Sequence, residues 1–231
     1  MKRLGSPLVN FFAVEESGRW TLLDAGVPGF WPQLEENGIR PDAVEAVVLT
    51  HAHGDHVGIA ERLRQAGARV YVHEADRELA TTAKPSGKNE RSQLPYLRHA
   101  AAWKLMAHLA GNGGLKPQPI AEVTTFADGE RLDVPGRPRV IHTPGHTDGH
   151  SVLTVDGALV VGDLLCTLDP LTGARGPRLL PRALSRSTPQ IDESLAKIEA
   201  LDVETVYFGH GEPWTRGVRD LVGAARVAGA S

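Results

Sequence analysis

Short runs of Val, Leu and Ile recur along this chain, and most of them end in a polar residue beside a glycine. Val47-Val48-Leu49-Thr50, Val70-Tyr71-Val72, Val140-Ile141, Ala158-Leu159-Val160-Val161 and Val206-Tyr207-Phe208 have the length and β-branched content of buried strands. Helical spacing lies between them. Val57, Ile59, Ala60, Leu63 and Ala66 fall on one face of a helix, as do Val218, Leu221, Val222 and Ala225, and a further helix is expected from about Gln190. A longer pattern starts at Leu94. Leu94, Leu97, Ala101, Leu105 and Leu109 make one stripe, and Tyr96, Ala100, Trp103 and Ala107 make a second, offset one. A helix with two apolar faces needs two covers. One is the core; the other is a substrate cleft, a partner subunit in a homodimer, or another part of the same segment.

Strands alternating with helices read as an α/β fold, and the two halves echo each other. Leu22-Leu23-Asp24-Ala25-Gly26 resembles Leu159-Val160-Val161-Gly162-Asp163, and Thr50-His51 after one strand parallels Gly209-His210 after another. That echo suggests two β-β-α halves packed sheet to sheet with helices outside. The length of 231 residues suits a single domain spanning the chain. Two stretches lie outside a minimal scaffold. One runs from Glu74 to about Pro119, with a polar loop from Thr81 to Ser92, containing Pro85 and Gly87, ahead of the Leu94 helix. The other, Thr167 to Pro189, is expected as a loop facing the substrate and carries Arg175, Arg178, Arg182 and Arg186. Arginine forks match carboxylate or phosphate, although exposed loops also carry arginine for solubility.

Composition narrows the class. An apolar fraction of 41% with 23% charged residues is that of a globular protein, and a net charge of −3 gives no reason to expect nucleic acid or an anionic membrane as partner. The first residues contain no apolar run of signal-peptide length, and no stretch approaches the roughly 18 apolar residues of a membrane span. The single cysteine, Cys166, excludes an internal disulfide. A cytoplasmic protein acting on a small molecule is the expectation.

The chemistry concentrates in His51-Ala52-His53-Gly54-Asp55-His56, on the loop between a strand and a helix. A solvated polar loop accounts for one histidine; it does not account for three beside a carboxylate. Imidazole nitrogen and carboxylate oxygen are the donor set for zinc first, with iron or manganese as alternatives. Further donors follow later strands: His142-Thr143-Pro144-Gly145-His146-Thr147-Asp148-Gly149-His150, then Gly162-Asp163, then Gly209-His210-Gly211. Glycine at each point lets the backbone turn sharply enough to bring these side chains to one centre. His73 and His142 flank strands near that centre, where structural hydrogen bonding is the expected role. His99 and His108 fall on the Leu94 helix, where surface positions are expected. Cys166, just beyond Asp163, reads as apolar filler rather than a nucleophile.

Taken together and in this order, these motifs resemble the metallo-β-lactamase-fold hydrolases over nearly the whole chain. The resemblance implies a four-layer αββα sandwich with a site for two divalent metal ions at one edge between the sheets. By position, His51, His53 and His146 would hold the first ion, Asp55, His56 and His210 the second, and Asp163 would bridge them. Asp24 and His150 match positions behind the ligands that orient them. Asp55 and His150 are the candidates for a direct part in catalysis. In such a site a bridging hydroxide is the nucleophile, since metals lower the pKa of bound water.

Fold does not decide substrate. True β-lactamases of this fold are usually exported and carry another residue where Asp163 stands. The nuclease branches carry further domains. Hydrolysis of a lactone or carboxylic ester is the expectation by size and elimination. Glyoxalase-type thioester hydrolysis is the alternative; those enzymes share the ligand pattern and add a region after the last histidine, where 21 residues follow His210 here. A non-hydrolytic iron protein for redox or sensing is a further alternative, but oxygen-reducing relatives carry a glutamate in the histidine-rich string and a fused flavin domain.

Overall fold

The computed structural model describes residues 1–84 and 87–231. Two sheets form its frame. The first has six strands in sequence order: β1 (Lys2–Gly5), β2 (Asn10–Glu16), β3 (Arg19–Leu23), β4 (Val44–Val48), β5 (Arg69–His73) and β6 (Thr124–Phe126). β1 to β3 are antiparallel, and β3 to β6 run parallel. The second contains β7 (Arg139–His142), β8 (Ser151–Val155), β9 (Ala158–Val160) and, after a hairpin of β10 (Leu165–Leu168) and β11 (Arg175–Leu179), β12 (Val206–Tyr207), in the order β12-β9-β8-β7.

Alternation along each strand sorts side chains into three layers of core. Phe12, Val14, Leu23, Ala46, Val48 and Tyr71 of the first sheet meet Val140, Leu153, Val155 and Val160 of the second. Their sequence neighbours Phe11, Ala13, Leu22, Val47, Val70 and Val72 face the other way. These pack against α1 (Pro32–Glu36), α2 (Ala60–Gln65) and α3 (Arg77–Thr82) through Leu34, Leu63 and Leu79. Two helices cover the outer face of the second sheet. They are α5 (Thr188–Glu199) and α6 (Val218–Ala228), which set Ile191, Leu195, Ile198, Leu221 and Val222 on Val152 and Leu159; α4 (Ala100–Gly111) lies in the 74–119 stretch. The arrangement is the expected αββα sandwich.

The segments outside the scaffold depart from the expected pattern in three ways. The helix of 94–110 is not continuous. A 3₁₀ turn at Leu94–Arg98 ends at His99, whose extended backbone (φ −95°, ψ 129°) precedes α4. The first stripe is therefore split, with Leu94 73% exposed, while Tyr96, Ala102 and Leu105 pack on Leu171 and Ala183. Of the second stripe, Trp103 is 55% exposed, its indole N–H donating to the Leu97 carbonyl. Within 81–92, α3 continues to Thr82 and stops at Ala83 in a left-handed conformation; Pro85 and Ser86 lie outside the described residues. Thr167 to Pro189 is not a plain loop either. It holds the second half of a β-hairpin and the start of α5, which begins at Thr188, close to the expected Gln190, capped by Ser187 Oγ accepting from the Gln190 N–H.

Candidate metal centre

The strands of both sheets end at one edge, and the loops beyond them carry every candidate donor. His51 and His53 follow β4, His146 and His150 lie between β7 and β8, Asp163 follows β9, and His210 follows β12. The echo between the halves is structural. β3 pairs parallel with β4 as β9 pairs parallel with β12, so Asp24 and Asp163 occupy matching strand ends.

Two nests of donor atoms result. His53 Nδ1 lies 2.8 Å from His146 Nε2, which lies 3.1 Å from His51 Nε2. Asp55, His56 and His210 form the second nest, with His210 Nε2 3.6 Å from Asp55 Oδ2. Asp163 stands between them, its Oδ2 3.2 Å from His210 Nε2 and 3.5 Å from His146 Nε2, and its Oδ1 3.4 Å from His56 Nε2. Three imidazole nitrogens this close cannot all carry protons, so they present converging lone pairs. His56 Nε2 and Asp163 Oδ1 are also buried with no hydrogen-bond partner. Buried polar atoms are ordinarily satisfied. A cation is the partner that suits both features, and the donor set fits the divalent ions named above.

Comparison with known proteins agrees with the geometry. The sequence profile described as the metallo-beta-lactamase superfamily matches residues 5–210. The chain belongs to the metallo-β-lactamase superfamily. Among relatives of this superfamily, the probable metallo-hydrolase YflN of Bacillus subtilis is 29% identical over 220 residues, covering 87% of this chain and 78% of its own. A hydroxyacylglutathione hydrolase of Xanthomonas axonopodis is 28% identical over 85% of this chain, which spans only 58% of that relative. A solved structure, TTHA1623 in a di-iron-bound form, superposes with a TM-score of 0.61 at 28% identity, covering 93% of each chain.

Within this metallo-β-lactamase-superfamily site, outer contacts fix the imidazole rings. Asp24, held at φ 60°, accepts from the Thr50 N–H and hydroxyl and contacts His56 Nδ1 at 2.9 Å, which turns His56 Nε2 inward. His210 Nδ1 contacts the Leu8 carbonyl, and His51 Nδ1 the Thr50 hydroxyl. His150 sits behind the nests, fully buried, its Nε2 accepting the Asp163 N–H at 3.1 Å. Backbone approach is equally tight. A Cβ on Gly209 would lie 2.3 Å from Asp163 Oδ1 and 2.7 Å from His56 Cε1, so only glycine fits.

Burial, reinforced by the neighbouring imidazoles, holds His51 and His146 well below the usual histidine range. It also lowers His53, against the pull of Asp55, and brings His150 down to about 3. Those rings are neutral, as metal binding requires. For His56 and His210 burial again opposes the charge, but carboxylates led by Asp163 outweigh it. His56 rises well above its ordinary value and His210 reaches about 9. Asp163 is correspondingly held well below the carboxylate range, because His210 and His56 overcome the effect of burial.

Three residues gain a place that pattern alone did not give them. Asp76, buried at the start of α3, accepts from the Ala52 N–H, the Thr147 hydroxyl and the Gly149 N–H. It ties the loop of His51 and His53 to the loop of His146. The available signal was an acidic residue three positions past the end of β5. Leu8 matters through its carbonyl, which no side-chain pattern reveals. His108 is half-buried rather than on the surface, packed on the Phe30 ring and 3.2 Å from Ser6 Oγ. His73 and His142 stack on each other at 3.9 Å, and His142 Nε2 contacts the Asp148 carbonyl. Cys166 is buried beside the site, and burial pushes its thiol well above the ordinary range, leaving it protonated.

Proposed function

We propose that this protein is a dinuclear metal-dependent hydrolase of ester-type bonds, a lactone or carboxylic ester first. The observation that carries this reading is the pair of nests joined by Asp163, with unpartnered His56 Nε2 and Asp163 Oδ1 turned into the space between. His51, His53 and His146 would hold one ion and Asp55, His56 and His210 the other, with zinc the first choice and iron or manganese the alternatives. When bound, such a pair supplies an acidified water as nucleophile and polarises the carbonyl under attack.

The chain's own residues supply position. Asp24, Thr50 and the Leu8 carbonyl aim His56, His51 and His210, and His150 holds the backbone at Asp163, so the donors are set before substrate arrives. His150 stays neutral behind Asp163, which suits an orienting part better than proton transfer to substrate. Asp55, partly open at 19% side-chain exposure, is the donor best placed to meet a substrate or leaving group.

Thioester hydrolysis is the second reading, favoured by the likeness to hydroxyacylglutathione hydrolases. One experiment separates the two. Purified protein reconstituted with zinc, and in parallel with iron, is assayed against lactones, aryl esters, thioesters, phosphodiesters and a β-lactam. The proposal expects the highest kcat/KM on a lactone or carboxylic ester. A best rate on thioesters selects the second reading, and two bound ions without turnover of any substrate would falsify both.

A further inference from the structure

We infer that His108 of α4 is a positioning residue for the second metal position, acting on His210 through Ser6 and the peptide unit between Leu8 and Val9. The inference rests on the proposed dinuclear centre and names a residue that tunes one half of it.

The path is continuous. His210 Nδ1 donates to the Leu8 carbonyl, and the N–H of the same peptide unit, that of Val9, donates to Ser6 Oγ at 3.1 Å. A peptide unit is planar, and this one is trans, so its C=O and N–H point in opposite directions and turn together. Whatever fixes Ser6 Oγ therefore sets the direction in which the Leu8 carbonyl meets His210. Ser6 Oγ also accepts from the Leu8 N–H at 3.2 Å. With both lone pairs taken, the hydroxyl has its proton left to offer, and His108 Nε2 lies 3.2 Å away. Nε2 is then the acceptor, and Nδ1 carries the ring proton. Burial lowers His108 below the ordinary histidine range, against the pull of Asp55, which keeps that lone pair available.

The far end of the path is anchored. The His108 ring packs on Phe30 with centroids 5.8 Å apart, and its carbonyl accepts from the Asn112 N–H and side-chain amide. The Asn112 carbonyl in turn accepts the Gly29 N–H, which fastens the end of α4 to the turn holding Phe30. At the near end, the buried Asn10 amide donates to the Phe208 and Gly211 carbonyls and holds the backbone on either side of His210. Asn10 thus fixes the loop, and the path from His108 aims the imidazole. Aim matters there, because His210 Nε2 lies 3.2 Å from Asp163 Oδ2 and 3.6 Å from Asp55 Oδ2. The first nest is held otherwise, His51 by the Thr50 hydroxyl and its two loops by Asp76. Loss of the path should therefore weaken one position and spare the other.

The test compares wild type with His108→Ala, His108→Gln and Ser6→Ala. In the metal-free, ¹⁵N-labelled proteins, imidazole NMR spectra report ring tautomers and proton exchange. Wild-type His108 is expected as the Nδ1–H tautomer, and the His210 Nδ1 proton should exchange several-fold faster in His108→Ala and Ser6→Ala. Chelator-buffered zinc titration then reads each equivalent. Direct outer contacts of metal ligands typically contribute about 10–100-fold in affinity, so this indirect path should contribute about three- to tenfold, at one equivalent only. His108→Gln, whose amide oxygen can still accept from Ser6, is expected to restore both readouts. Faster His210 exchange in the variants, with wild type taking up fewer than two zinc ions, keeps the positioning and removes the dinuclear reading. Unchanged His210 exchange, equal weakening of both equivalents, or an effect of Ser6→Ala without one of His108→Ala overturns the inference.

Discussion

Asp163 touches both nests, which gives its removal a signature distinct from that of any single histidine. Replacing Asp163 by alanine is expected to lower metal content at both positions. His51→Ala is expected to affect mainly the position it shares with His53 and His146. Elemental analysis after dialysis reads the difference, and loss of only one ion from the Asp163 variant would remove the bridging role. Cys166 gives a complementary expectation. Because its thiol is buried and protonated, Cys166→Ala should retain most hydrolytic activity, and alkylating reagents should leave the native enzyme unmodified; inactivation by alkylation with metals retained would contradict this. The seven candidate ligands could be picked from the sequence because each lies at a strand end or in the loop that follows it, mostly beside a glycine, and the structure gathers them in the two nests with Asp163 between. Asp76 could not, because its partners Thr147 and Gly149 lie more than 70 positions away. Nor could Leu8, which acts through its backbone.

At the scale of elements, α2 is anchored through Glu61, whose carboxylate accepts from the Arg64 guanidinium, the Ala121 N–H and the Gln65 amide. The Arg64 hydrogen bond leads in lowering its pKa from 4.5 to about 2. A carboxylate with a depressed folded-state pKa adds stability above its unfolded value and loses it as pH falls through the folded one. Glu61→Gln should therefore lower the Tm near neutrality by about 2–4 °C, corresponding to roughly 1 kcal/mol. The gap from wild type should close between about pH 4.5 and pH 2; a gap independent of pH would mean the contact carries no charge contribution. The helices of the scaffold were readable because one face repeats at the helical period. The break at His99 was not, since Leu94 and Leu97 continue that period into a turn exposed to solvent. The β10–β11 hairpin was hidden by the glycine and proline of Arg175-Gly176-Pro177, which read as loop although Arg175 and Arg178 pair with Leu168 and Cys166.

For the whole molecule, the metal centre lies where the two sheets meet, so its occupancy bears on how firmly the halves hold together. Ions that bind only the folded chain stabilise it by mass action, by about 4 kcal/mol per site at a thousand times the dissociation constant. Stripping the protein with a strong chelator should lower its Tm by several degrees, and zinc should restore it. A Tm indifferent to the chelator, with metal shown to be lost, would mean the nests are held by protein contacts alone. The two-half plan was legible as the echo around Asp24 and Asp163. The sheet edges were not, because β1 and β6 are short, and β6 pairs with β5 about fifty positions earlier in the chain. The spread of donors from His51 to His210 also bears on biosynthesis. A chain leaving the ribosome releases His51 and His53 first, His146 nearly a hundred residues later and His210 last. The donors of the first nest are therefore all present in the chain 64 residues before His210 emerges to complete the second.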